Sequence, residues 1–121
     1  MRHLLRRILP LAVVVIAVAS SCTIEDCIRV AFAERGADLH QQDQALRVAW
    51  CESNHRPEAI SPGGGNWGLF QINRVHRGRV AAMGLTWDDM LHPYANAVVA
   101  ADIWAEQGWG PWSCARHLGI R

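Results

Sequence analysis

Glu52 is the residue whose setting most suggests chemistry. Three, four and seven places before it stand Ala49, Val48 and Ala45, so in a helix its side chain emerges from an apolar stripe. A carboxyl there loses hydration, which disfavours its charged form and raises its pKa. A general acid working near neutral pH must still hold its proton, and such a carboxyl does. Position alone leaves two uses open: that proton donor, or a rim carboxylate held by an arginine or a backbone amide. Tryptophan is the second signal. The chain has 6 Trp, and Trp104, Trp109 and Trp112 crowd its last 18 residues. An indole offers a flat apolar face and one N–H donor, which suits sugar rings with their apolar faces and polar edges. Most of the six are nevertheless expected to pack in a core.

Helices must position these side chains. Thr23 is a helix N-cap, Glu25 and Asp26 complement the first turn, and Ile28, Val30, Ala31 and Phe32 follow until Gly36 closes the run. A second helix is predicted from about Asp43 through Ala45, Leu46, Val48, Ala49 and Trp50 to near Asn54. Ser61-Pro62-Gly63-Gly64-Gly65-Asn66 is a turn cluster, and Trp67-Gly68-Leu69-Phe70-Gln71-Ile72 reads as a short strand. Thr86-Trp87-Asp88-Asp89 is a capped start for a single helical turn. Pro93 opens a further helix, with Ala97, Ala100, Ala101 and Trp104 at helical spacing and Gly108 as its stop. The expected fold is α+β and mostly α-helical, with one small β excursion beside the helix that carries Glu52. The glycine run is no phosphate loop, because neither GxGxxG nor GxxxxGK[ST] occurs.

The 121 residues are one domain's worth, and 50% apolar with 19% charged composition excludes disordered and collagen-like chains. The formal charge of +1 comes from 12 arginines, with no lysine, against 11 acids. Arg2, Arg6 and Arg7 precede an apolar stretch over residues 8–18, and Ala17-Val18-Ala19 fits a small-x-small cleavage site. Residues 1–19 are therefore expected to be a signal peptide and residues 20–121 the secreted domain. The apolar stretch is about half the ~20 residues that span a bilayer, so no stable membrane insertion is expected after cleavage. Lipid attachment at Cys22 is the rival use of Ala19-Ser20-Ser21-Cys22, a loose lipobox with Ala in its first place. From Ser20 onward 9 arginines face 11 acids, a balance of −2, which offers no footprint for nucleic acid. No cofactor or metal is expected, since the histidines are scattered and neither HExxH nor CxxC occurs. A monomer is expected.

Export into an oxidising compartment makes the 4 cysteines disulfide candidates, with three connectivities possible. Cys22 and Cys27 are close enough to join across one turn entering a helix. That leaves Cys51 with Cys114, closing a loop whose chain entropy corresponds to about 4 kcal/mol.

Cys51-Glu52-Ser53 at a helix end, Ala59-Ile60-Ser61, the glycine turn and Trp67-Gly68-Leu69-Phe70-Gln71-Ile72 together resemble the motif of lysozyme-like transglycosylases. Asn96-Ala97 and the tail Gln107-Gly108-Trp109-Gly110-Pro111-Trp112-Ser113-Cys114 are similar to the ending of secreted actinobacterial and phage lysozyme-like domains, with resuscitation-promoting-factor domains related. The resemblance covers about residues 43–114. It implies a lysozyme-like fold and a peptidoglycan glycan strand as partner, cut at the β-1,4 bond between N-acetylmuramic acid (MurNAc) and N-acetylglucosamine (GlcNAc). It makes Glu52 the catalytic acid and base, with Ser53 orienting it. Gly68, Leu69, Phe70 and Gln71 would line the cleft, with Gln71 touching the glycan. Tyr94 and Asn96, in the nearest match to the Ala-Tyr-Asn-Ala-Gly stretch of many soluble lytic transglycosylases, would contact substrate on the other side.

Glycoside hydrolysis usually takes two carboxylates. Glu58, Asp88, Asp89 and Asp102 are the candidates for a second, and none shares a motif with Glu52. Glu52 acting alone implies lytic transglycosylation. A muramidase-type hydrolase of the same bond and a non-catalytic wall-glycan-binding module are the alternatives.

Overall fold

The structure, a computed structural model, describes residues 22–121. The signal peptide expected over residues 1–19 lies outside the described residues. Helix α1 (Ile24–Glu34) starts where the sequence places it: the Thr23 hydroxyl accepts a hydrogen bond from the Asp26 N–H at 3.1 Å. It buries Cys27, Ile28, Ala31 and Phe32. Helix α2 (Leu39–Ser53) begins four residues before the expected Asp43. The reason is a capping box. The Asp38 carboxylate accepts from the Gln41 N–H at 2.8 Å, and the Gln41 side chain accepts from the Asp38 N–H at 2.9 Å. Those first turns are polar, so hydrophobic periodicity could not reveal them. Asn54 and His55, at φ 54° and 57°, take the chain into the left-handed region and end α2 just beyond Glu52.

The run over residues 67–72 is not one strand. It is a hairpin of β1 (Asn66–Trp67) and β2 (Ile72–Asn73), with Asn66 opposite Asn73 and Trp67 opposite Ile72. Residues 68–71 form the turn, since Gly68 at φ 79° and Gln71 at φ 49° both leave extended backbone. Past the hairpin come a 3₁₀ turn (Arg74–His76) and helix α3 (Arg77–Ala82), which the sequence did not reveal. A 3₁₀ turn over Trp87–Leu91, capped reciprocally by Thr86 and Asp89, leads into α4 (Pro93–Gln107). A short α5 (Ser113–His117), also unforeseen, follows.

Helix α4 buries Asn96, Ala97, Val99, Ala100, Ala101 and Ile103 against α1 and its neighbours. Phe32 sits at the centre, its ring 5.4 Å from Phe70, 5.5 Å from Trp104 and 5.6 Å from Trp109. The architecture is the expected one, α+β and mostly helical. Both expected disulfides are present. Cys22–Cys27 ties the chain to the first turns of α1, which occupies the sulfur that a lipid would need. Cys51–Cys114, with Cα atoms 5.9 Å apart, ties α5 to the end of α2. Among the described residues no helix is long and apolar enough to cross a membrane, and no cluster of His, Cys, Asp or Glu could hold a metal.

Candidate active site

Ala45, Val48 and Ala49 are fully buried, and the next turn of α2 lifts Glu52 out of that stripe to a half-buried position. Its carboxyl lines a cleft of about 400 Å³. The hairpin supplies one wall through Asn66, Gln71 and Asn73, and His76 extends it. Trp112 and Ser113, at the start of α5, supply another. The Cys51–Cys114 bridge holds that wall beside the residue next to Glu52.

Burial pushes the Glu52 carboxyl up from its ordinary value, while the Cys114 backbone N–H, facing the charged form, pulls it back. Burial wins, so the carboxyl keeps its proton to higher pH than a free glutamate does. His76 is pushed down, first by burial and then by the nearby Arg79, so its ring stays neutral to lower pH than a free imidazole.

Glu52 is the one carboxylate among the residues lining this cleft. Asp102 instead receives Arg35 at 2.9 Å and Arg79. Asp89 caps its own 3₁₀ turn by accepting from the Thr86 N–H at 2.7 Å. Glu58 lines a different, smaller cleft beside Arg56, and Asp88 is exposed.

Most of the other residues singled out by sequence frame the cleft rather than face it. The Ser53 hydroxyl is buried and donates to the Ala49 carbonyl at 3.0 Å, one turn back in its own helix, so it is not aimed at Glu52. Leu69 and Phe70 are fully buried, their side chains in the core. Gly68 is required for close packing. A Cβ on it would meet the Met90 carbonyl oxygen at 2.0 Å and the Asn96 amide nitrogen at 2.2 Å. Asn96, also fully buried, clamps the turn: its Oδ1 accepts from the Phe70 N–H at 2.9 Å. Its Nδ2 donates to the Trp67 and Met90 carbonyls, each at 2.8 Å. Tyr94 points elsewhere, its hydroxyl donating to the Glu34 carboxylate at 2.8 Å. Burial first, then that carboxylate, pushes the phenol up to about 12.

Gln71 does line the cleft. Its amide nitrogen donates to the Ala59 and Gly68 carbonyls, both at 3.0 Å, which fixes the side chain across the turn. Asn66, Asn73 and His76 were missed. A hairpin reading of residues 66–73 would have found the first two, because it pairs them across the strands. Trp112, assigned only to the aromatic group, is nearly buried and donates its indole N–H to the Phe70 carbonyl at 3.0 Å while still lining the cleft.

A small helical domain with a helix-borne, partly desolvated carboxyl above a hairpin-walled cleft is a lysozyme-like arrangement. Residues 30–107 match the transglycosylase SLT domain, and the chain belongs to that family, whose general activity is the lytic transglycosylation of peptidoglycan. Neither a curated protein nor a solved structure matches the chain.

Proposed function

We propose that the chain is an exported enzyme that cleaves the MurNAc–GlcNAc β-1,4 bond of peptidoglycan with Glu52 as both acid and base. The observation that carries this reading is that Glu52 stands in the cleft without a second carboxylate. Glu52 gives its proton to the glycosidic oxygen as the C1–O bond breaks and the GlcNAc alcohol leaves. The resulting carboxylate takes the proton of the muramic 6-hydroxyl as that oxygen bonds to C1. Glu52 is left protonated, no water is consumed, and the product carries a 1,6-anhydro ring.

Desolvation supports the first half-step by favouring the protonated form of Glu52, and the Cys114 N–H supports the second by facing the carboxylate once it forms. The neutral groups of Asn66, Gln71, Asn73 and Ser113 suit hydroxyl and acetamido edges of a sugar. Two disulfides suit an extracytoplasmic site of action.

The test is mass spectrometry of muropeptides released from purified sacculi by the wild type and by Glu52→Gln. Anhydro products from the wild type, falling by about 10²–10⁴-fold in the variant, are expected. Reducing-end products one water heavier would make the chain a hydrolase. Unchanged turnover by Glu52→Gln would remove Glu52 from the chemistry.

A further inference from the structure

A second cleft, of about 410 Å³, opens between α2, the end of α4 and the chain's last residue. Its volume falls in the range of roughly 300–1,000 Å³ typical of small-molecule sites. It shares no lining residue with the Glu52 cleft, and the two meet back to back. Trp112 lines the first, Trp109 lines the second, and their rings touch at 5.3 Å.

The chemistry of the second cleft is specific. Trp104 is half-buried, packed on Phe32 and Trp109, and leaves part of its indole open to the cleft. Gln41 and Gln44, one turn apart on α2, face the same space. The Gln41 oxygen is occupied by the Asp38 N–H and the Gln44 oxygen by the Trp109 indole N–H at 3.3 Å. The Gln44 amide nitrogen gives one hydrogen to the His40 ring at 3.3 Å, and the amide hydrogens that remain on the two side chains are donors. Arg35 adds a guanidinium that gives one arm to Asp102, and the Arg121 guanidinium makes no ion pair among the described residues. An aromatic plate rimmed by donors selects a ring with an apolar face and an acceptor-rich edge. N-acetylated pyranoses have that shape, since their hydroxyl, acetamido and lactyl oxygens all accept.

We propose that this second cleft binds a pyranose unit of an N-acetylated β-1,4-linked glycan, so that the domain holds one stretch of glycan behind the Trp109–Trp112 wall while Glu52 faces another. The pyranose chemistry stands on the cleft itself, whereas naming peptidoglycan as the source rests on the proposed function.

The experiment uses the secreted chain carrying Glu52→Gln and a soluble β-1,4-linked GlcNAc tetramer, followed through the indole N–H resonances. Movement of both Trp104 and Trp112 supports the proposal and the proposed function together. Movement of Trp104 alone supports the second site and counts against the Glu52 cleft as a glycan site. Movement of Trp112 without Trp104 overturns the second site and leaves the proposed function standing. No movement at either overturns both. Ala105→Phe, an exposed position lining the second cleft, blocks it without entering the core. In the Glu52→Gln background it should abolish the Trp104 shift and weaken sedimentation with sacculi by about three- to tenfold, the scale of one lost ring contact. In the wild-type background, turnover of a soluble oligomer should not change. Retention and Trp104 shifts that survive Ala105→Phe would overturn the assignment.

Discussion

Asn96→Ala removes the clamp that holds the cleft wall in place. The Asn96 side chain makes three hydrogen bonds with backbone: it accepts from the buried Phe70 N–H and donates to the buried Met90 carbonyl and the part-buried Trp67 carbonyl. Alanine leaves the Phe70 N–H and the Met90 carbonyl without this partner in a buried space, at about 1–3 kcal/mol for each unsatisfied group. For these two buried groups the total is about 2–6 kcal/mol, a large share of the roughly 5–15 kcal/mol that stabilises a domain. Thermal unfolding followed by circular dichroism should show the midpoint falling by at least about 8 °C, at about 4–8 °C for each kcal/mol.

Asn96→Asp separates hydrogen bonding from shape. One carboxylate oxygen still accepts from the Phe70 N–H, but the other faces two carbonyls with nothing to donate. Burial raises the folded pKa of this aspartate above its unfolded value of about 3.9. A raised carboxyl pKa costs stability as pH climbs past the unfolded value, so the variant should lose progressively more between pH 4 and pH 7. An Asn96→Ala variant within about 1 kcal/mol of the wild type, or an Asn96→Asp variant whose deficit shrinks as pH rises, would refute the clamp.

Glu52→Gln should be no less stable than the wild type at neutral pH, because the raised carboxyl pKa makes the charged form of Glu52 unfavourable in the folded chain above its unfolded value. A marked drop in its melting midpoint would make Glu52 a structural ion. Activity should fall on the alkaline side of its pH profile as Glu52 loses its proton, with a midpoint above that of a free glutamate; a midpoint at or below it would separate activity from this carboxyl. Replacing Cys51 and Cys114 together by alanine opens a link across 63 residues and should cost about 4 kcal/mol, with activity lost before global unfolding because α5 carries one cleft wall. Urea titration with activity sampled along it checks both parts. Gly68→Ala should destabilise by about 3 kcal/mol or more, since its Cβ has no space and its φ of 79° suits only glycine; a melt like the wild type's would show that the Asn96 clamp yields easily.

The helices that carry a periodic apolar stripe and a cap were legible in the sequence: α1, the back half of α2, and α4. So was the setting of Glu52, because three preceding turn positions are apolar. What stayed hidden has physical causes. The first turns of α2 are polar and held by a capping box. Helices α3 and α5 are too short to show a period, and each buries a single side chain, Val80 and Ala115. The hairpin was read as a strand because Leu69, Phe70 and Ile72 look like an apolar run, whereas the two left-handed positions that fold it, Gly68 and Gln71, show only in the backbone.

That misreading explains why the resemblance placed too many residues in the cleft. Gly-Leu-Phe-Gln specifies a turn. Glycine lets it press against Asn96, leucine and phenylalanine root it in the core beside Phe32, and glutamine closes it by bonding back to Ala59 and Gly68. Asn96, seen from the sequence as a substrate contact, is the other half of the same joint. The consequence for the site is mechanical. The Asn66–Asn73 wall hangs from this joint, and the Trp112 wall is fastened to it by the indole hydrogen bond to the Phe70 carbonyl. Phe70 thus donates its N–H to one element of the scaffold and offers its carbonyl to another. One buried residue in this way sets the distance between two walls of the cleft in which Glu52 stands.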